Sequence, residues 1–243
     1  MAPILYLNEA NSTNQYLTDL LETEKVDEGT AVACFNQTNG HGQKGNSWLS
    51  ESGKNICYSI VIYPDSIVAR NQFIISQMVA LSVKAFLDGF TTNISIKWPN
   101  DIYWNDQKIA GILIENKLTG NFITHSVIGI GININQISFP SEIPNPVSLK
   151  QITGTDYDLK DMINKLHCKI QQSGGNVNGG IEDNIQRFYV NNLYHRDGFY
   201  TYRDKDGDFS ARIRGISGLG NLILEHENGT VKDYAFKEVA YIL

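Results

Sequence analysis

Three short stretches carry residue types that could do chemistry. Gly40-His41-Gly42-Gln43-Lys44-Gly45 matches GxGxxG behind an expected strand, the pattern with which dinucleotide-binding folds offer backbone N–H groups to a pyrophosphate. Such a loop must open a helix, but the next residues, Asn46 to Gly53, have no helical period. A P-loop fails as well, because Asn46 stands where its lysine belongs. What remains is a glycine-rich polar loop ending at Trp48. Lys97-Trp98-Pro99-Asn100-Asp101 places an ammonium, an amide and a carboxylate at a strand end, with proline setting the turn. Lys108 precedes the apolar run Ile109 to Ile114 and either points into a pocket or, as lysine more often does, snorkels to water. Gly129 and Gly131 interrupt a β-branched strand, which implies close approach of a ligand or of neighbouring backbone.

These residues need a scaffold, and the chain is long enough to build one. Its 243 residues, 42% of them hydrophobic, fit one large domain or a core domain with a small satellite. A net charge of −6 excludes a broad basic face tracking nucleic acid and leaves room for a small anion in a local basic pocket. Cys34, Cys57 and Cys168 form no CxxC or zinc pattern and suit a reducing compartment. With no signal-like N-terminus and no apolar run of membrane-spanning length, the chain reads as soluble and cytoplasmic, without membrane partners.

Ile4–Leu7 reads as a strand, followed by a helix with Ser12 and Gln15 spaced as a capping box and Leu17, Leu20 and Leu21 as its buried stripe. Ala31–Phe35 and Asn55–Tyr63 read as strands, and Ile74, Met78, Leu81 and Ala85 mark a helix that Gly89 would cap. Ile94–Trp98 and Lys108–Glu115 are expected to pair around a turn at Asn105-Asp106, and Ser126–Ile134 is a further strand. Leu159, Ile163, Leu166 and Ile170 mark a helix, a Gly/Asn linker spans 173–180, and 181–189 is helical. After Gly198, five short strands separated by turn signals suggest a small SH3-like β-barrel. The expected fold is α+β: a mixed sheet with helices over 1–196, then a barrel over 197–243.

In combination and order, Ser12-Thr13-Asn14, Gln37 with the Gly40–Trp48 loop, Lys97–Asp101, Lys108–Glu115 and Gly129–Asn133 resemble the biotin protein ligase family. The resemblance covers about 4–135, and the expected barrel is similar to that family's C-terminal domain. It implies that biotin and MgATP form biotinyl-5′-AMP and pyrophosphate, after which biotin passes to one lysine of a biotin carboxyl carrier domain, as in acetyl-CoA carboxylase. By the same resemblance Lys108 contacts the biotin carboxylate and the adenylate phosphate. Ser12, Thr13, Asn14 and Gln37 hold the biotin head group. Gly40, His41, Gly42, Gln43, Lys44 and Trp48 cover the adenylate, and Lys97, Asn100, Gly111, Gly129, Gly131 and Asn133 complete the binding site. Asp101 is assigned to Mg²⁺ or to the acceptor lysine's proton.

Two departures stand out. The family loop is commonly GRGRRGR, whereas His41, Gln43, Lys44 and Asn46 replace its arginines here, which implies a looser hold on the adenylate. The first motif begins at Ser12, leaving no room for the helix-turn-helix domain that makes some members repressors, so DNA binding is not expected. Sheet-edge homodimers occur in the family and leave a homodimer open. A lipoate ligase or octanoyl transferase of the same superfamily would use the same sheet, but KWPND and the Trp-terminated loop favour biotin. A non-catalytic biotin- or nucleotide-binding module is a third reading, opposed by intact Lys97, Asp101 and Lys108.

Overall fold

A computed structural model describes residues 2–64, 67–174 and 182–242, with backbone alone for Lys44, Ser173, Gly174, Glu182 and Asp183. In chain order its elements are β1 (Ile4–Ala10), α1 (Thr13–Thr23), β2 (Ala31–Gln37), β3 (Gly40–His41), β4 (Ser47–Trp48), β5 (Ile56–Ile62), α2 (Phe73–Leu87), β6 (Ile94–Lys97), β7 (Asp101–Trp104), β8 (Gln107–Thr119) and β9 (Phe122–Ile132). There follow α3 (Leu149–Thr153), α4 (Leu159–Gly174), α5 (Glu182–Asn191), β10 (Tyr200–Asp204), β11 (Gly207–Ile216), β12 (Leu222–His226), β13 (Val231–Tyr234) and β14 (Ala240–Tyr241). A mixed seven-stranded sheet runs β1-β2-β5-β9-β8-β7-β6, parallel only between β1 and β2. The five C-terminal strands form an antiparallel sheet, β13-β12-β11-β10-β14. It fits the small barrel-like unit expected there, although among the described residues its outer strands β13 and β14 are not paired with each other.

Alternation along the strands gives the large sheet two different faces. Ala31, Ala33, Ile56, Tyr58, Ile60, Ile128, Ile130 and Ile132 point to one side and join the main core with α2 and α4. Val32, Val61 and Val127 point to the other and form a smaller cluster with Leu17 of α1. Helix α2 is buried on more than one stripe, because Ile75, Val79, Val83 and Leu87 are buried as fully as Ile74 and Met78. Ala85, expected on its buried face, is exposed. Each large apolar side chain removed from water in this way contributes about 1.5–3 kcal/mol.

Several local expectations change. Ser12 does cap α1, accepting the Gln15 N–H at 3.5 Å, but the Gln15 side chain turns away to Asp19, so only half a capping box forms. Helix α2 ends at Leu87 with Asp88 as its C-cap, and Gly89 has no left-handed backbone. The expected pairing of 94–98 with 108–115 does not occur: β7 lies between, bonded to β6 on one side and β8 on the other. The turn at Asn105-Asp106 is real but joins β7 to β8. The glycine-rich stretch is a miniature hairpin, Gly40 pairing with Trp48 and His41 with Ser47. Ser173 and Gly174, assigned to the linker, end α4, while 175–181 lie outside the described residues.

Two imidazoles are held neutral inside the fold. His167, fully buried, lies 3.0 Å from the Ala2 carbonyl through Nε2 and 2.7 Å from the Tyr58 hydroxyl through Nδ1. A carbonyl only accepts, so Nε2 carries the proton and Nδ1 accepts a hydrogen bond from the Tyr58 hydroxyl. His195 is stacked between Tyr194 and Tyr200, with ring centres at 3.9 and 3.7 Å. Burial pushes His167 below the usual histidine range and His195 down to about 4. Both protonate near pH 6.5 once unfolded. Stability is therefore complete above pH 6.5 and falls as pH drops toward 4, where the unfolded chain binds more protons. The urea midpoint is expected to fall between pH 7.5 and 5, and His195→Phe, which keeps the ring stack, to show a shallower fall.

Candidate functional site

The strands bring the expected residues together through one irregularity. Asp101 of β7 pairs with Gly111 of β8 and Ile102 with Ala110, but Tyr103 pairs with Lys108, leaving Ile109 as an extra residue. This bulge sends both Ile109 and Ala110 into the core and returns Lys108 to the face that carries Asp101 and Gly111. Lys97, Asp101, Tyr103 and Lys108 then share one side of the sheet.

On that side lies a cavity of about 330 Å³ between the sheet, α1, the glycine-rich hairpin and the C-terminal sheet. Glycine makes it possible. A Cβ on Gly129 would collide with the Asn14 carboxamide, and one on Gly131 with the Trp48 indole. The close approach expected at these glycines is therefore made by side chains rather than by neighbouring backbone. Successive inward positions of β9 are about 7 Å apart, so Asn14 and Trp48 stand side by side along the floor. Lys108 Nζ follows, 5.7 Å from the Trp48 ring centre. The floor thus runs from neutral polar, through aromatic, to charged.

Its polar end is a closed network. The Thr13 N–H donates to Gln37 Oε1 at 3.0 Å, and Ser59 Oγ lies 2.7 Å from Thr13 Oγ1 and 2.6 Å from Asn14 Oδ1. Asn14 Nδ2 donates to Glu115 Oε2 at 2.7 Å, which fixes the amide's orientation. Ser59 and Glu115 were not singled out from the sequence. The signals were the single serine within the β-branched and aromatic run Asn55–Tyr63 and the acid closing the Lys108–Glu115 motif.

At the charged end Lys108 Nζ lies 2.7 Å from Asp101 Oδ1. Lys97 Nζ donates to Tyr103 Oη at 2.9 Å and sits over the rings of Tyr103 and Tyr241. Burial lowers the Lys97 ammonium's pKa and raises the Tyr103 phenol's to about 12. Tyr241, with Phe236, Val239 and Ala240, brings the C-terminal sheet to the cavity wall. That sheet is anchored beside it by the Trp98 indole, which donates to the Gly220 carbonyl at 2.8 Å and packs edge-on against Phe236.

Ser12, Thr13, Asn14, Gln37, His41, Gly42, Gln43, Trp48, Lys97, Asn100, Asp101, Lys108, Gly111, Gly129 and Gly131 all line the cavity. Two expected residues do not. Gly40 sits behind it, where a Cβ would strike the Gln37 amide and the Trp48 carbonyl. Asn133, buried, donates to the Val147 carbonyl at 3.1 Å and holds the loop beyond β9. Asn100 is also structural, bracketing Ile112 through its own carbonyl and side-chain amide. The Lys44 side chain lies outside the described residues. Among those residues no three His, Cys, Asp or Glu cluster as a metal site, and Asp101, the one acid on the cavity wall, is spent on Lys108. The residues present do not make a dedicated Mg²⁺ site.

A two-faced sheet whose glycine-floored side opposes a neutral hydrogen-bonding recess to a lysine–aspartate pair defines a protein with a small-molecule pocket that is polar at one end and charged at the other. The model of the biotin/lipoate A/B protein ligase family matches residues 6–133, just over half of the 243, and the chain belongs to that family. It is 35% identical to the bifunctional ligase/repressor BirA of Escherichia coli, over 95% of this chain and 71% of that protein. It is 28% identical to the biotin–[acetyl-CoA-carboxylase] ligase of Paracoccus denitrificans, over 56% of this chain and 58% of that one. The biotin protein ligase from Aquifex aeolicus in complex with biotin and ATP superposes with a TM-score of 0.80 at 27% identity, covering 99% of this chain and 98% of that one.

Filling the floor tests this packing. Gly131→Ala, which drives a methyl into the Trp48 indole, is expected to cost about 1–3 kcal/mol of stability in chemical denaturation. In the double variant Gly131→Ala/Trp48→Leu, part of that loss is expected to return.

Proposed function

We propose that this protein activates biotin with ATP to biotinyl-5′-AMP and transfers the biotinyl group to a lysine of a carboxylase's biotin carboxyl carrier domain. The order of groups along the floor carries this reading. A ureido ring offers N–H donors and a carbonyl acceptor to match Ser12, Thr13, Asn14, Gln37 and Ser59. A short aliphatic chain crosses the Trp48 indole, and a carboxylate ends at Lys108. A binding module would need no cation pair at that end, and the named activities of the relatives weigh against lipoate.

In the first step a biotin carboxylate oxygen bonds to the α-phosphorus of ATP and pyrophosphate leaves. Two anions must approach, and Lys108, aimed into the cavity by Asp101, offsets their repulsion and holds them in line. Magnesium arrives as part of the MgATP substrate, held by its phosphates. The hairpin of β3 and β4, with His41, Gly42 and Gln43 on the wall, covers the mixed anhydride and keeps water from it. In the second step the acceptor amine attacks the biotinyl carbon and AMP leaves. We assign 1–196 to the catalytic unit and 197–243 to a C-terminal unit that completes the wall. Dependence on ATP supports a cytoplasmic place of action.

Lys108→Ala is expected to lower biotin-dependent ATP–pyrophosphate exchange by about 10²–10³-fold. The wild type is expected to melt at higher temperature with biotin plus ATP and not with lipoate. No exchange by the wild type, full exchange by the variant, or stabilisation by lipoate would each overturn the reading.

A further inference from the structure

The two described lysines on the cavity wall are held in different ways. Lys108 Nζ lies 2.7 Å from Asp101 Oδ1 and shares its charge with that carboxylate. Lys97 is Asp101's partner across the β6–β7 ladder, yet among the described residues it makes no ion pair within 4 Å. Its Nζ donates to Tyr103 Oη at 2.9 Å and lies 5.1 Å from the ring centre of Tyr241. Burial lowers the pKa of this ammonium, Asp101 raises it and Lys108 lowers it, while the phenol oxygen and the ring both favour the charged form. A ring face attracts a cation without neutralising it. Of the groups around Lys97, Tyr241 alone comes from the C-terminal sheet. Its place there is fixed by strand pairing, with Tyr202 opposite it on β10 at 5.1 Å between ring centres and Tyr194 beside it at 5.9 Å. The Tyr241 hydroxyl is buried and has no hydrogen-bond partner among the described residues. What this side chain offers Lys97 is therefore its ring.

Strand order sets the two cations apart. From Gly131 on β9 the sheet passes to Lys108 on β8, then to β7, then to Lys97 on β6, with neighbouring strands about 4.8 Å apart. Resting on the ligase reading, we propose that Tyr241 is a positioning residue whose ring seats the Lys97 ammonium against the outer phosphates of MgATP, so that the C-terminal sheet takes part in adenylation. With the biotin carboxylate and the α-phosphate at Lys108, the remaining phosphates extend toward β6. As the carboxylate oxygen bonds to the α-phosphorus, the bond from that phosphorus to the bridging oxygen breaks, and its electron pair leaves with pyrophosphate. Negative charge grows on the leaving group, and an ammonium not already neutralised by a carboxylate offsets it best. No proton moves to or from Lys97. A carboxylate in the place of Tyr241 would hold the lysine as firmly but cancel the charge that the phosphates need.

The test measures biotin-dependent ATP–pyrophosphate exchange by the full chain in Tyr241→Leu, Tyr241→Phe, Lys97→Met and the double variant Lys97→Met/Tyr241→Leu. Tyr241→Leu is expected to raise the KM for MgATP and for pyrophosphate about tenfold, with biotin binding in the absence of nucleotide unmoved in calorimetry. Tyr241→Phe, which keeps the ring and drops an unpaired hydroxyl, is expected to recover the wild-type KM. In the Lys97→Met background Tyr241→Leu is expected to add nothing. The proposal is overturned by an unchanged KM in Tyr241→Leu, by biotin binding lost in parallel, by Tyr241→Phe as impaired as Tyr241→Leu, or by an equal effect of Tyr241→Leu in the Lys97→Met background. If the wild-type protein shows no exchange, the ligase reading fails and the proposal with it.

Discussion

In β8, Lys108 belongs to the cavity while Ile109 and Ala110 both belong to the core, and a regularly pleated strand cannot deliver that sequence of directions. One extra residue opposite β7 does. Without the bulge, either Lys108 would be aimed into apolar packing and Ile109 out of it, at the cost of burying an unpaired ammonium, or Lys108 would stay in the cavity and Ala110 would leave the core. Everything catalytic then follows from keeping the two faces apart. The core face carries isoleucines against α2 and α4, which makes the sheet rigid. The other face can afford glycines, amides and charges because rigidity has been provided from behind.

The pairing of Asp101 with Lys108 is worth little as stability, since both side chains are about a quarter exposed. Its value lies in direction: a flexible four-carbon stem is held with its charge inside the cavity. A similar economy joins the two sheets. Trp98 hydrogen-bonds to Gly220, Phe236 packs against its ring, and Tyr241 reaches the same cavity, so the segment that begins with Lys97 both contributes to the site and fastens the sheet that closes it.

Much of this was legible from residue order. Strands with clear β-branched runs, such as Ile56–Ile62, and helices with long apolar periods, such as Leu159–Gly174, stand where alternation and spacing put them. Strand β7 was missed because its four residues lie between a proline turn and an Asn-Asp turn, too short to show alternation. The pairing partners of β6 and β8 were misread for the same reason. Helix α3, five residues long, is set by the reciprocal Ser148–Gln151 cap and has no period to find. In the site, motif residues converged, but which of them touch the cavity depends on pleat direction. Asn133 lies one residue beyond β9 and turns to Val147, two residues past the glycine that faces Trp48.

The interlock of Trp48 with Gly131, and of Asn14 with Gly129, bears on how such a sequence can change over time. Neither glycine can acquire a side chain unless its partner first becomes smaller, and a smaller partner opens the floor before the glycine fills it. Each pair is therefore separated from its alternatives by an unfavourable intermediate. Related sequences should vary at these positions jointly or not at all, and residues more than 80 positions apart along the chain would leave a single covariation signal.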